Sequence, residues 1–153
     1  MFRIDFLADF PECISALAPP LLEHWSYVFP EDTLDTRVAK LRRHLNRDVL
    51  PIAWAAHEGS QTVGTAALRV HDFEGREDLS PWLGGVFVLP AFRGQGIGST
   101  LCAAVEQHAR LIGIGTLYLF TIDQQAMYAD RGWQILEHTV WHGFESDIMN
   151  KRL

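Results

Sequence analysis

Residues 88–100 read Val-Leu-Pro-Ala-Phe-Arg-Gly-Gln-Gly-Ile-Gly-Ser-Thr and place three alternating glycines between two hydrophobic segments. An apolar run that feeds a glycine-rich turn and then a helical pattern constrains this chain more than any other feature. At a helix start the first backbone N–H groups have no intrahelical partner, and the helix dipole puts partial positive charge there. Glycine removes the side chain that would hold an anion away and tolerates positive φ, so such a turn is suited to phosphate. Arg93 can add a charge-assisted hydrogen bond. A tight strand-to-helix turn with glycines for packing alone would look the same in sequence. Two phosphate motifs are excluded. A Walker loop needs Gly-Lys-Ser/Thr, and a dinucleotide fingerprint needs its glycines directly after the strand, where Pro90-Ala-Phe92 stands instead.

The rest of the chain supplies the elements around that turn. Phe2, Ile4 and Phe6 alternate with Arg3 and Asp5, as in a half-buried strand. Ile14, Leu17, Leu21, Leu22 and Trp25 share a helical face that Pro19-Pro20 interrupt, so a kinked helix or two short ones are expected. Leu34, Val38, Leu41 and Leu45 form a second helical stripe behind an Asp32 or Thr33 cap. Arg42, Arg43 and Arg47 lie at its end, where the dipole favours cations. Ile52–His57 and Thr62–Val70 read as strands around a four-residue connection, Glu58–Gln61. His71–Pro81 is a charged loop, and Leu83–Leu89 is an apolar run fit for a strand buried on both faces. A helix over Gly96–Ile112, a strand over Thr116–Ile122 and a short helix around Gln124–Asp130 follow. Trp133–Val140 and Phe144–Arg152 close the chain as strands. The order β-α-α-β-β-β-α-β-α-β-β joins hairpins to a β-α-β unit and predicts a mixed α/β sheet.

With 153 residues, 48% of them hydrophobic and 21% charged, the expectation is one globular domain over 1–153. The apolar runs are too short to cross a bilayer, and "MFRIDFLADF" lacks the features of a signal peptide, so a cytoplasmic address and no membrane partner are expected. Cys13 and Cys102 read as free, buried thiols, and the seven scattered histidines suggest no metal site. A net charge of −6 argues against nucleic acid as a partner and fits a cationic small substrate.

The run Val88-Leu-Pro90 followed by Arg93-Gly-Gln-Gly96-Ile-Gly98 resembles the acyl-CoA pyrophosphate loop of the GNAT superfamily of acetyl-CoA-dependent N-acetyltransferases. The likeness covers Trp82–Trp133 in motif and nearly the whole chain in element order. It implies a GNAT-like α/β fold with a mixed six- to seven-stranded sheet and about four helices. It also implies acetyl-CoA as co-substrate, no metal, and a small-molecule or peptide amine as acceptor. Dimers are common in such proteins, so a homodimer is a further implication. On this resemblance the backbone of Val86, Phe87 and Val88 would pair with the pantetheine arm, and Gly84-Gly85 would form the bulge that opens the gap. Arg93, Gly94, Gln95, Gly96, Ile97, Gly98 and Ser99 would hold the diphosphate.

Tyr128-Ala-Asp-Arg-Gly132-Trp133 is similar to the family's tyrosine signature, which implies Tyr128 as the acid that protonates the leaving thiolate. Many relatives carry a glutamate on the strand before the loop. Here Trp82, Leu83, Gly84 and Gly85 stand there. Asp123 then becomes the first candidate for accepting the amine proton, with Asp72, Glu74, Glu77 and Asp78 as alternatives, and the Val88 N–H is the candidate oxyanion donor. The segments His71–Pro81 and Trp25–Asp32, with Trp141, His142 and Phe144, would ring the acceptor. The expected activity is direct acetyl transfer in a ternary complex. A catalytically degenerate sensor that only binds acyl-CoA is the alternative.

Overall fold

The computed structural model describes all of residues 1–153. Seven strands form one sheet: β1 (Phe2–Phe6), β2 (Ile52–Glu58), β3 (Gln61–Arg69), β4 (Trp82–Val88), β5 (Thr116–Thr121), β6 (Gln134–Trp141) and β7 (Phe144–Arg152). Their order across the sheet is β1-β2-β3-β4-β5-β7-β6, and only the central pair, β4 with β5, is parallel. Four helices accompany them: α1 (Ile14–Trp25), α2 (Leu34–Arg42), α3 (Ile97–Leu111) and α4 (Gln125–Ala129). Short 3₁₀ turns precede α1 and lead from β4 toward α3. The mixed sheet and the element order agree with the sequence reading.

Strand alternation sorts the core into two faces. Ile52, Trp54 and Ala56 of β2 join Ile97, Leu101 and Val105 of α3 on one face, while Ala53 and Ala55 join Leu17, Leu21 and Leu41 of α1 and α2 on the other. Small β2 and β3 side chains let α1 and α2 lie close to the sheet. A third cluster extends that second face with Phe73, Trp82, Trp141 and Ile148.

Of the two arrangements expected around Pro19-Pro20, the division into two short helices is excluded, since both prolines lie inside one helix. The carbonyls that would have accepted from them belong to Ser15 and Ala16, both exposed, so water can serve them while Ile14, Leu17, Ala18 and Leu21 stay packed. One local expectation is corrected: the β2–β3 connection is tighter than the four residues expected, because Glu58 pairs with Gln61 and leaves a two-residue turn at Gly59-Ser60. Thr33 caps α2, accepting from the Thr36 N–H while Thr36 accepts from the Thr33 N–H, a reciprocal pair.

β4 shows an irregularity that positions the site. Leu83 packs on the α3 face and Phe87 on the α1/α2 face, although four residues of regular strand would put both on one side. The register against β3 jumps accordingly, from Ala67↔Gly84 to Thr65↔Phe87, which is a bulge, and Gly85 within it has φ +59°.

Leu101 is fully buried and anchors α3 over Gly64 of β3. Leu101→Ala is expected to lower the unfolding free energy by about 2–5 kcal/mol, measured by urea titration, with an unchanged circular dichroism spectrum.

Candidate active site

β4 and β5 are bridged only at Trp82↔Tyr118, where the Tyr118 N–H also donates to the Pro81 carbonyl (3.1 Å). After this bridge the strands part, and a cavity of about 710 Å³ runs through the opening from the α3 N-terminus to α1 and α2. Because the Leu89 N–H donates to the Val63 carbonyl, Gly64↔Val88 is a non-hydrogen-bonded pair. The N–H and carbonyl of Val88 therefore point away from β3 and into the gap.

At one end lies the glycine turn. Thr100 makes the first intrahelical bond of α3, to the Gly96 carbonyl (3.0 Å), and no N–H from Gly94 to Ser99 has a backbone or side-chain acceptor within the chain. Gly94 and Gly96 have φ of +79° and +82°, so the turn requires glycine for its conformation. A Cβ at either would meet nothing within 4 Å. Close packing therefore does not account for these glycines. The result is a row of free donors at the positive end of a 15-residue helix.

Two arginines flank this row. Arg93 lies over the Phe87 ring (5.6 Å) and donates from Nε to the Val88 carbonyl (2.9 Å). Arg131 donates from Nε to Ser99 Oγ (2.5 Å) and from Nη1 to the Met127 carbonyl (2.9 Å). Arg131 was not visible as a site residue in the sequence, since it follows Tyr128 on a different element and only folding brings it to Ser99.

Tyr128 lines the middle of the cavity from α4, 7% exposed, its ring edge-on to Trp133. Burial first, and then the neighbouring Cys102 thiol, push the phenol above its ordinary range, so it holds its proton at neutral pH. Burial and the nearby Glu106 charge push the Cys102 thiol up to about 12, which leaves it protonated and a poor nucleophile. Both cysteines are free and buried.

Asp123 lies at the end of β5, exposed, outside any ion pair, and faces the cavity. Of the four loop carboxylates considered, only Asp72 reaches the cavity. Glu77 instead accepts from the Gly75 N–H, and Asp78 pairs with Arg76. Asp72 occupies the space that a side chain on Gly84 would fill, since a Cβ there would lie 2.5 Å from its Oδ2. Arg69 likewise places Nη2 2.7 Å from where a Gly85 Cβ would be. The adjacent glycines thus admit an ion pair (Arg69 Nη1 to Asp72 Oδ1, 2.7 Å) against the strand at the point of parting. Neither loop length nor composition signals this insertion.

The far end is walled by Trp25, Tyr27, Phe29 and Trp141, with Trp25 and Trp141 edge-to-face at 5.9 Å. Trp54 is in the core beneath α3, and His142 and Phe144 lie off the cavity wall. His24 stands against Phe87 (5.0 Å between rings), its pKa lowered by burial and by Arg93, partly offset by Asp123. Arg37, Lys40 and His44 of α2 and its following turn complete this end. His44 bridges them: Nδ1 donates to the Lys40 carbonyl (2.8 Å), and Nε2 accepts from Arg69 Nε (2.9 Å). Burial and the Arg69 charge pull its pKa down to about 4, consistent with that neutral tautomer. No group of three or more His, Cys, Asp and Glu side chains is arranged to hold a metal, and no helix is long and apolar enough to cross a membrane.

A family profile described as "Acetyltransferase (GNAT) family" matches residues 12–133. A search of curated protein sequences returns no match. Among solved structures, aminoglycoside 6'-acetyltransferase type Ii superposes with a TM-score of 0.74 at 21% identity, covering 98% of this chain and 96% of that one. PaiA N-acetyltransferase from Thermoplasma acidophilum, solved in complex with coenzyme A, gives 0.71 at 19% identity, covering 100% and 99%. A GNAT-family acetyltransferase from Streptococcus pneumoniae gives 0.72 at 15%, covering 100% of both chains. At these identities the likeness establishes the fold.

Burial first, then the charges of Arg69 and Arg37, lower the Lys40 pKa from 10.5 to about 8. The folded state therefore carries a penalty for charged Lys40 that is fully present below pH 8 and is relieved as pH rises toward 10.5. Relative to Lys40→Met, wild-type stability should increase between pH 8 and 10 in denaturant titrations. A flat difference would show that the ammonium is not desolvated.

Proposed function

Since the chain belongs to the acetyltransferase (GNAT) family, we propose that it transfers an acetyl group from acetyl-CoA to a primary amine by direct attack in a ternary complex. The observation that carries the reading is the row of unpartnered amides from Gly94 to Ser99, which opens onto a cavity lined by Tyr128. The residues present fit the co-substrate. Arg93, the amides of Gly94, Gln95, Gly96, Ile97, Gly98 and Ser99, and Arg131 would hold the diphosphate. The gap-facing backbone of Val88, and of Val86 two residues before it, would take the pantetheine arm much as an added strand, whereas Phe87, expected to join them, turns its N–H and carbonyl toward Thr65 of β3. Bound acetyl-CoA supplies the electrophilic thioester carbonyl and the thiolate leaving group.

The chain's own groups then divide the work. Tyr128 retains its hydroxyl proton and can give it to a developing thiolate. That interaction strengthens only as charge appears on sulfur, so it favours the transition state. The Val88 N–H, turned into the gap, is placed to stabilise an oxyanion. Asp123 accepts the amine proton through water, and Asp72, fixed by Arg69, orients the ammonium beforehand. The protonated, buried Cys102 supports direct attack over a covalent cysteine intermediate.

Tyr128→Phe should reduce kcat for thiol release by about 10²–10⁴-fold while changing the acetyl-CoA Kd less than about threefold. Tight binding with no turnover of any amine and no effect of Tyr128→Phe would instead identify an acyl-CoA sensor. Gly98→Asp adds a carboxylate at the α3 start, where a Cβ meets only Val88 at 3.7 Å. Calorimetry should show acetyl-CoA binding at least about 100-fold weaker, with the fold retained.

A further inference from the structure

The wall of the acceptor end formed by α2 and Arg69, across from Asp123, carries more positive charge than its own acids neutralise. Arg37, Lys40 and Arg69 line it, against Asp72 on the wall and Asp32 behind Arg37. Arg69 is satisfied, with Nε on His44 and Nη1 on Asp72. Arg37 is not. Its side chain is 7% exposed and its Nη2 is 2.6 Å from Asp32 Oδ2, yet Nε is buried with no partner. Lys40, three residues further along the same face of α2, forms no ion pair at all. His44 is neutral and adds none. A buried guanidinium donor without an acceptor and a partly buried ammonium without a counter-ion are both costly unless something fills the role.

We propose that this end of the cavity binds a carboxylate carried by the acceptor amine, so that the substrate is an amino acid or a similar amine with a carboxylate close to its nitrogen. The proposal rests on the acetyltransferase reading and names the acceptor for that same site. Arg37 Nε and Lys40 Nζ take the carboxylate, and Asp72 takes the ammonium. Opposite charges of the wall thus meet opposite charges of one small zwitterion, while Trp25, Phe29 and Trp141 face its organic body. The depressed Lys40 pKa has the same cause, burial first and then the two guanidiniums, which Asp72 and Asp32 offset only in part. Polycationic amines such as polyamines or aminoglycosides would face uncompensated repulsion at this wall.

The test compares L-phenylalanine, L-methionine and L-glutamine, each beside its α-amide and its decarboxylated amine, by kcat/KM for thiol release from acetyl-CoA. The amide lowers the amine pKa and decarboxylation raises it, so the two controls bracket nucleophile basicity. The carboxylates should be preferred by at least about tenfold over both controls. Lys40→Met should shrink that ratio toward one, and the charge-retaining Lys40→Arg should keep it. Equal or better turnover of the controls, or of spermidine, would overturn the proposal, as would a ratio that Lys40→Met leaves intact. Calorimetry of N-acetyl-L-phenylalanine against N-acetyl-2-phenylethylamine with the coenzyme A-loaded protein reads the same preference without turnover, and equal binding of the two would also overturn it. Absence of acetyl-CoA binding, or of thiol release with every amine, would count against the acetyltransferase reading, whereas unselective turnover counts only against the carboxylate.

Discussion

The site depends on one break in the sheet. β4 and β5 are joined by the single bridge at Trp82↔Tyr118 and then diverge, which leaves backbone in the middle of a seven-stranded sheet without a partner. Such exposed main-chain groups are a liability unless something else occupies the opening. The bulge at Gly84-Gly85 turns β4 away, and the Arg69–Asp72 pair is inserted against those two glycines, so the opening is held by charged side chains. α3 starts at the mouth of the same gap. Main-chain donors in the wedge and main-chain donors at the helix start therefore face one continuous cavity, which needs almost no side-chain identity to hold a long, flexible anionic co-substrate.

Electrostatics then differentiate the two ends. Arg93, Arg131 and the α3 dipole make the glycine end positive, as a diphosphate requires. One wall of the acceptor end also carries excess positive charge, through Arg37, Lys40 and Arg69, although the chain as a whole is at −6. The net charge of the chain and the charge of its cleft are separate quantities, because most carboxylates sit on the outer surface. Glu74, Glu77 and Asp78, for example, belong to the charged loop but do not line the large cavity. The expectation of a cationic substrate came from the first quantity, and the cavity wall speaks through the second.

Much of the architecture was legible because it follows from short-range pattern. The two-residue period of β1, the helical stripe of α2 and the apolar run of β4 all became the expected elements, and the glycine turn did open α3. The Gly84-Gly85 bulge was readable as two glycines within an apolar strand. What escaped reading depends on tertiary contact. Pro19 and Pro20 are tolerated in α1 because the carbonyls they strand lie on exposed residues, a fact of packing. Arg131 reaches the cavity from the turn after α4, at a distance along the chain that no local motif spans, and only folding separates Asp72 from the other three loop carboxylates considered with it. The histidine bridge from Lys40 through His44 to Arg69 likewise joins α2's end to β3. The family resemblance implies Trp141, His142 and Phe144 around the acceptor, yet Trp141 alone of that group lines the cavity wall.

The central claim is that the free amides at the start of α3 grip the diphosphate of coenzyme A. At 17.3 kDa the protein suits amide-resolved nuclear magnetic resonance, and titrating coenzyme A into the nitrogen-15-labelled chain examines those donors one by one. The account predicts that the N–H resonances of Gly94, Gly96 and Gly98 move downfield and rank among the largest shifts in the spectrum. Resonances of Gly94–Ser99 that stay in place, whether coenzyme A binds elsewhere or not at all, would contradict it.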